Sequence, residues 1–409
     1  MIYAVAIIVF VGIIMLLVGM LLLVEARVVR KGDAHITINN DDEAPLKTAV
    51  GTTLLKALAN NEIFIPSACG GGGSCGMCKC LVEKGVDSYL PTELAHVNRK
   101  EKQENIHLAC QLKVKDDLKI RIPQEILEVK KYNATVISNE NVATFIKELA
   151  LELDEGETLD FQAGAYIQID IPEYTLSFAE FRKRVGAKFR PAWDRFNLWG
   201  LKSKSEEPIF RAYSLANPPA EKTVLRFTIR IATPPPGVQA APPGAGSSYI
   251  FNLKKGDKVT LSGPYGEFFV KEDTAREMCF IGGGAGMAPL RSQIFHQLKT
   301  LRTSRTISFW YGARSLQELF FEDEFKALAD EFSNFSYHVA LSDPQPEDNW
   351  QGMTGYIHQN LYDHYLKEHE DPTEIEYYLC GPPMMVEAIE DMLDSLGVEP
   401  EMIKFDKFS

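Results

Sequence analysis

Ile2 to Val24 is an uninterrupted apolar run of 23 residues without a charge, and no other segment of the 409-residue chain reaches that length. At 1.5 Å per residue it makes roughly 35 Å of helix, enough to span a hydrocarbon core with some tilt. A secretory signal peptide would show a basic n-region, a shorter apolar stretch and a small-residue cleavage site, and none is evident. A buried helix is the other alternative. The run predicts a single transmembrane anchor over residues 1–26, with Arg27, Arg30 and Lys31 directly after it and nothing basic before it. By the positive-inside rule the N-terminus then faces outward and the remaining bulk is cytoplasmic.

That bulk divides into three blocks. Residues 33–128 read as a small α+β unit: strand His35–Asn39, short helix Thr53–Asn60, a Gly/Cys loop and strand Leu118–Pro123. Residues 129–272 carry apolar or alternating segments at Ala134–Ser138, Phe145–Leu153, Ala165–Ile171, Leu225–Ile231 and Val259–Leu261. Their short spacing predicts an antiparallel barrel. Two stretches interrupt it: an aromatic, charged insertion at residues 173–210 without a clear period, and the Pro/Gly loop Thr233–Gly246. In residues 273–409 strands (Met278–Ile281, Thr306–Tyr311, Phe335–Leu341, Glu376–Leu379) alternate with helices, which predicts a doubly wound parallel sheet. The net charge of −13 argues against a nucleic-acid partner, which needs a basic face.

Four of the seven cysteines crowd into Cys69, Cys75, Cys78 and Cys80. An odd count packed into a glycine-rich loop makes a poor disulfide framework and a good metal site. Cys69, Cys75 and Cys78 are spaced C-x5-C-x2-C, and Cys110 follows after 31 residues. Gly70 to Gly73 and Gly76 can take positive φ and aim N–H groups at sulfurs, which suits four thiolates around a [2Fe–2S] cluster. A structural zinc site also takes four thiolates, but usually as two C-x2-C knuckles, and only one is present. The first spacing is one residue longer than the plant-type ferredoxin pattern and resembles the adrenodoxin-like branch. Cys80 is either a competing ligand or a neutral neighbouring thiol.

Arg211-Ala212-Tyr213-Ser214 has the R-x-Y-S form of the ferredoxin–NADP reductase family. An arginine fork can neutralise the FAD pyrophosphate, a tyrosine offers a flat face to the flavin, and a serine hydroxyl can bond flavin N5. In that family Gly246, Ser247 and Ser248 would cap the pyrophosphate at a helix N-terminus; for the serines a plain N-cap is the alternative. Gly284, Gly286 and Pro289 form G-x-G-x-x-P after an apolar strand, where glycines admit a nucleotide pyrophosphate. Cys380, Gly381 and Pro382 begin C-G-P-P, the family's second nicotinamide-side motif. Its resemblance implies that Cys380 sits near the nicotinamide C4; a buried strand-end cysteine is the alternative, and Cys279 reads as core. Arg314 is the one cation near the end of the second strand of the last block, and Glu318, Glu322 and Asp323 follow, a balance that favours NADH over NADPH. The family also ends in an aromatic that shields the flavin, which implies this role for Phe408, with Phe405 as its rival.

The order ferredoxin, flavin block, nucleotide block resembles the oxygenase reductases, such as those of phenol hydroxylase and methane monooxygenase. The anchor and the insertion narrow the resemblance to the F subunits of sodium-translocating NADH:quinone oxidoreductases. That resemblance implies a β-grasp [2Fe–2S] domain, a β-barrel FAD domain and an NAD domain on a single-pass chain in the bacterial inner membrane. It further implies hydride transfer from NADH to FAD, then single electrons through the cluster to integral membrane subunits, with ubiquinone reduced and Na+ exported. Nothing in this chain shows sodium or quinone chemistry. A membrane-tethered reductase feeding an oxygenase is the alternative; a non-catalytic redox sensor fits poorly with intact flavin and nicotinamide motifs.

Overall fold

A computed structural model describes residues 2–28, 32–86, 88–234 and 241–407. They pack as two compact units, one of residues 1–65 with 71–128 and the other of residues 66–70 with 129–409.

The first unit begins with α1 (Ile2–Val28), whose side chains Phe10, Met15 and Leu16 are exposed. Its side chains are described without a break only over residues 9–20, and among the described residues no helix is long and apolar enough to cross a membrane. Arg30 and Lys31 lie outside the described residues. The rest of the unit runs β1 (Asp33–Ile38), β2 (Leu46–Ala49), α2 (Leu54–Ala59), β3 (Lys79–Lys84), α3 (Pro91–Leu94), α4 (Arg99–Gln103), β4 (Ile106–Leu108), β5 (Leu118–Arg121) and α5 (Gln124–Leu127). The sheet order is β2-β1-β5-β3-β4, with β1 and β5 parallel at its centre, the β-grasp arrangement. Helix α2 starts at Thr53, whose hydroxyl accepts from the Lys56 N–H, and buries Leu54, Leu55, Ala57 and Leu58 on the sheet. Strands β2, β3 and β4, which the sequence pattern did not expose, are only three to six residues long.

In the second unit six antiparallel strands, β6 (Lys130–Ala143), β7 (Ile146–Leu153), β8 (Tyr166–Ile171), β11 (Ile209–Ser214), β12 (Val224–Arg230) and β13 (Lys258–Tyr265), take the order β11-β8-β13-β6-β7-β12. Ala216 N–H, just past β11, donates to the Arg226 carbonyl of β12 at 2.7 Å and closes the sheet on itself. Leu149, Ile167, Leu225, Phe227 and Leu261 fill the interior. Gly263 and Pro264 lie inside β13 at a register shift. The insertion contributes its own two-stranded sheet, β9 (Tyr174–Ser177) with β10 (Lys202–Ser205), and helix α6 (Arg190–Arg195). Its remaining turns are 3-10 (Phe178–Arg184, Ala187–Phe189, Leu198–Gly200), whose period near three explains why neither helical nor strand periodicity was visible. Phe178, Phe181, Phe189, Trp193 and Leu198 bury against Phe251 of α7 (Ala245–Asn252).

The nucleotide part is an all-parallel sheet: β14 (Met278–Gly283), β15 (Ile307–Ala313), β16 (Phe335–Leu341), β17 (Met353–Thr354), β18 (Glu376–Gly381) and β19 (Ile403–Lys407), in the order β17-β16-β15-β14-β18-β19. Helices α8 (Met287–Phe295), α9 (Glu322–Glu331), α10 (Ile357–His364) and α11 (Pro383–Ser395) connect them. Every residue of β14 and β18 is buried, as strands covered on both faces require. The chain runs outward from β14 to one edge and then resumes on its other side, so β14 and β18 flank the switch point where such sheets bind ligands. Barrel and sheet are cross-bonded: Arg291 Nη1 donates to the Ala216 carbonyl at 2.8 Å, Ser292 Oγ to the Asn217 carbonyl at 2.7 Å, and Thr228 Oγ1 to the Ala285 carbonyl at 3.1 Å.

Candidate redox site

Strand alternation puts Arg211 and Tyr213 on one face of β11 and Ser214 on the other. The first turn of α7 lies on the Arg211–Tyr213 face. A Cβ at Gly246 would stand 2.7 Å from Arg211 Cγ and 2.8 Å from the Tyr213 hydroxyl, so only glycine admits this approach. The first N–H groups of a helix have no partner within it, and here they gather beside a guanidinium, an arrangement made for an anion. Ser247 is committed elsewhere: its hydroxyl accepts from Ala232 N–H at 3.0 Å and donates to the Gly244 carbonyl at 3.3 Å. Ser248 is fully buried, and its hydroxyl finds no hydrogen-bond partner among the described residues. A buried orphan hydroxyl two residues from the glycine cradle fits a bound pyrophosphate. Burial pushes the Tyr213 hydroxyl up, so it stays a neutral phenol. Gly70, in the 66–70 segment, is also pressed against β11: a Cβ there would lie 2.2 Å from Arg211 Nη1 and from the Phe210 carbonyl oxygen.

At the switch point the two glycine loops touch. A Cβ on Gly286 would fall 2.1 Å from the Cys380 carbonyl oxygen, and one on Gly381 would fall 3.0 Å from the Gly283 carbonyl oxygen. Gly284 takes φ +56 and its carbonyl accepts the Tyr311 hydroxyl at 3.2 Å. Pro289 is buried as the third residue of α8, and Pro382 caps α11. Cys380 is fully buried, and burial, helped by the charge of Asp406, pushes its thiol well above the usual range.

Asp406 was not singled out by any sequence motif. In β19 it pairs in register with Cys380, and its carboxylate accepts the Ser214 hydroxyl at 3.3 Å. Burial pushes its pKa up, against the opposing effect of that hydrogen bond. Ser214 and Cys380, singled out separately, thus share one carboxyl neighbour. A carboxylate inside the 403–407 strand was the available signal. Phe405 is 43% exposed, and Phe408 lies outside the described residues. Arg314 is taken: its Nε and Nη2 donate to Asp343 Oδ2 at 3.1 and 3.0 Å. Glu318 is held by the N–H and hydroxyl of Thr144.

In the first unit Cys78 and Cys110 hydrogen-bond, and that contact, then burial, pushes the Cys78 thiol up; Cys75 acts on it through charge. Gln111 Nε2 donates to Cys110 Sγ at 3.4 Å, the kind of N–H···S contact that a cluster sulfur attracts. Cys69 falls in the segment 66–70 that packs with the second unit. Among the described residues no three His, Cys, Asp or Glu side chains are grouped to hold one metal ion. A binuclear cluster divides its thiolates between two irons, so its ligands need not converge on a point. Cys80 is buried beside Glu93, and burial pushes it up to about 12, which keeps it a neutral thiol.

Residues 37–115 match the 2Fe-2S iron-sulfur cluster binding domain, 199–270 the oxidoreductase FAD-binding domain, and 280–391 the oxidoreductase NAD-binding domain. The F subunit of the Na(+)-translocating NADH-quinone reductase of Neisseria meningitidis serogroup B is 53% identical over 402 residues, covering 98% of each chain. The chain belongs to this F-subunit family. The F subunit of the Klebsiella pneumoniae reductase is 52% identical over the same length, 98% of each chain. Among solved structures, the Amycolatopsis cytochrome P450 reductase GcoB is 25% identical with a TM-score of 0.63, covering 92% of this chain and 98% of that one. A ferredoxin reductase in carbazole 1,9a-dioxygenase is 25% identical with a TM-score of 0.60, covering 93% and 99%. As an F subunit the chain is an oxidoreductase with FAD, NAD and [2Fe–2S] binding parts.

Proposed function

We propose that this chain is the electron-entry component of a Na+-translocating NADH:quinone oxidoreductase, with Ser214, Asp406 and Cys380 lining the place of hydride transfer. The observation that carries this is Asp406, bonded to Ser214 of the flavin strand and paired in register with Cys380, whose carbonyl meets the Gly286 turn. Bound FAD supplies the conversion of a two-electron hydride into single electrons. Arg211 would neutralise its pyrophosphate, with Gly246 opening the cradle and Ser248 donating into it. Tyr213 would offer a flat neutral face, and Ser214 a hydroxyl toward N5. Asp406 accepts the Ser214 hydroxyl and so fixes its direction. Gly284, Gly286, Gly381 and Pro382 shape the nucleotide side, and Cys380 presents an uncharged thiol there. Cys69, Cys75, Cys78 and Cys110 would hold the [2Fe–2S] cluster.

Helix α1 is proposed as a single membrane span: residues 2–24 are apolar and Arg27, Arg30 and Lys31 follow on one side. That places the soluble parts on the cytoplasmic side of the inner membrane, next to integral membrane subunits that accept the electrons. The likeness to reductases of oxygenase systems favours, as a second reading, delivery to an oxygenase. The test is isolation from native membranes with identification of the copurifying subunits and measurement of Na+-stimulated NADH:quinone activity. An oxygenase partner without that activity would establish the second reading. In the same preparation, Cys69→Ala should leave NADH bleaching of the flavin intact and abolish the cluster's EPR signal.

A further inference from the structure

The insertion at residues 173–210 supplies no group to the flavin or nicotinamide sites described above, yet it touches both. Near the flavin site the Tyr174 hydroxyl donates to the Ala245 carbonyl in the first turn of α7 and accepts from Ser203 Oγ at 2.8 Å. Its ring packs 5.7 Å from that of Tyr249. At the other end of α7, Arg184 donates to both the backbone and side-chain oxygens of Asn252, a cation at a helix C-terminus. Near the nucleotide site Trp193 Nε1 donates to the Thr144 carbonyl at 2.9 Å, and the N–H and hydroxyl of the same threonine hold Glu318. Glu318 ends the 3-10 turn Leu316–Glu318 that follows β15, and Gln317 of that turn also donates to Thr144 Oγ1 at 2.7 Å.

One aromatic core joins the two contacts. Trp193 is fully buried, 5.7 Å from Phe181 in an edge-on geometry and 6.1 Å from Phe251 of α7. Tight aromatic packing moves as a body, so the contact on α7 and the contact on Thr144 are tied together. The flavin cradle has little tolerance, because a Cβ at Gly246 would already stand 2.7 Å from Arg211 Cγ and 2.8 Å from the Tyr213 hydroxyl. The Thr144 carbonyl, in a residue only 1% exposed, would be left unpaired without the tryptophan.

We propose that the insertion is a two-ended brace of the redox site. Tyr174 is the positioning residue for the flavin-phosphate helix, and Trp193, through Thr144 and Glu318, is the positioning residue for the ribose-side turn of the nucleotide sheet. This rests on the assignment of those places to FAD and NADH.

The test uses the full-length protein with three substitutions: Tyr174→Phe, Trp193→Phe and Thr144→Val. The first two keep a ring and remove one donor; the third removes the hydroxyl that Glu318 and Gln317 share and keeps the backbone carbonyl that meets Trp193. Loss of one such hydrogen bond corresponds to about fivefold in an equilibrium constant. Tyr174→Phe should weaken FAD binding by about that factor and leave the NADH KM of the FAD-saturated protein unchanged. Trp193→Phe and Thr144→Val should each raise the NADH KM by about that factor, with FAD binding and kcat unchanged, and the double variant should add little. Parallel changes in both parameters in every variant, tracking the melting temperature, would show a role in folding alone and overturn the proposal. No change in either parameter would overturn it as well. Failure of wild-type protein to bind FAD or to be bleached by NADH would instead refute the underlying assignment.

Discussion

Replacing Gly286 by alanine tests the switch-point geometry at its tightest contact. The new Cβ would lie 2.1 Å from the Cys380 carbonyl oxygen, 2.3 Å from its carbon and 2.7 Å from the Gly381 nitrogen. All three are backbone atoms, so no side chain can swing aside. A carbon normally approaches a carbonyl oxygen no closer than about 3.3 Å, so the end of β18 must retreat from β14 by about 1.2 Å. Gly286 has φ −60, ordinary for alanine, so steric overlap is the whole effect. Overpacking of this kind costs about 1–3 kcal/mol, and the gain from a stiffer unfolded chain offsets about 0.4–1 kcal/mol. The larger consequence is for chemistry, since a misplacement near 1 Å lowers a rate by about a hundredfold. Anaerobic stopped-flow bleaching of the flavin by NADH should therefore slow by about that factor at unchanged FAD content. Gly284→Ala is the control: its φ of +56 is strained for alanine, but the nearest atom, Ile146 Cδ1, is 3.9 Å away. Flavin reduction within threefold of wild type in Gly286→Ala, or a worse defect in Gly284→Ala, would refute the reasoning.

Asp343→Asn should release Arg314 to meet a 2′-phosphate and raise kcat/KM for NADPH by about tenfold while leaving NADH kinetics within a factor of two; an unchanged NADPH value counts against the pairing as a specificity device. Asp406→Asn should slow flavin reduction without loss of FAD; unaltered single-turnover rates would remove Asp406 from the site. Lys147 is 1% exposed and burial pushes it down to about 8. Because its folded pKa lies below the ordinary 10.5, its charge destabilises the fold fully below pH 8, and the penalty fades as pH rises from 8 to 10.5. Lys147→Met should thus gain stability over wild type by about 3 kcal/mol more at pH 7 than at pH 10.5. Chemical denaturation at the two pH values decides this, and a pH-independent difference contradicts it.

What could be read from the sequence was what is local in the chain. The cysteine loop, the R-x-Y-S strand and the two glycine turns are each motifs of a few consecutive residues, legible from spacing or from the family resemblance. Asp406 did not show, because its meaning comes from Ser214, 192 residues away. The insertion did not show because 3-10 turns and two four-residue strands leave no period to detect. Ser247 read either as a phosphate ligand or as a plain N-cap, and only the fold shows its hydroxyl accepting from Ala232 N–H and donating to the Gly244 carbonyl. Gly263 and Pro264 have the composition of a turn, and only strand pairing shows that β13 runs through them.

The bonds from Arg291 and Ser292 to the carbonyls of Ala216 and Asn217 begin five residues after the Gly286 turn and two residues after Ser214. The loop assigned to the nucleotide and the strand assigned to the flavin are thereby soldered beside the place proposed for hydride transfer. The travelling distance of the hydride is then a property of the fold rather than of a closing motion. With nicotinamide in place, the chemical step should be indifferent to solvent viscosity, and any friction in turnover belongs to steps before or after it.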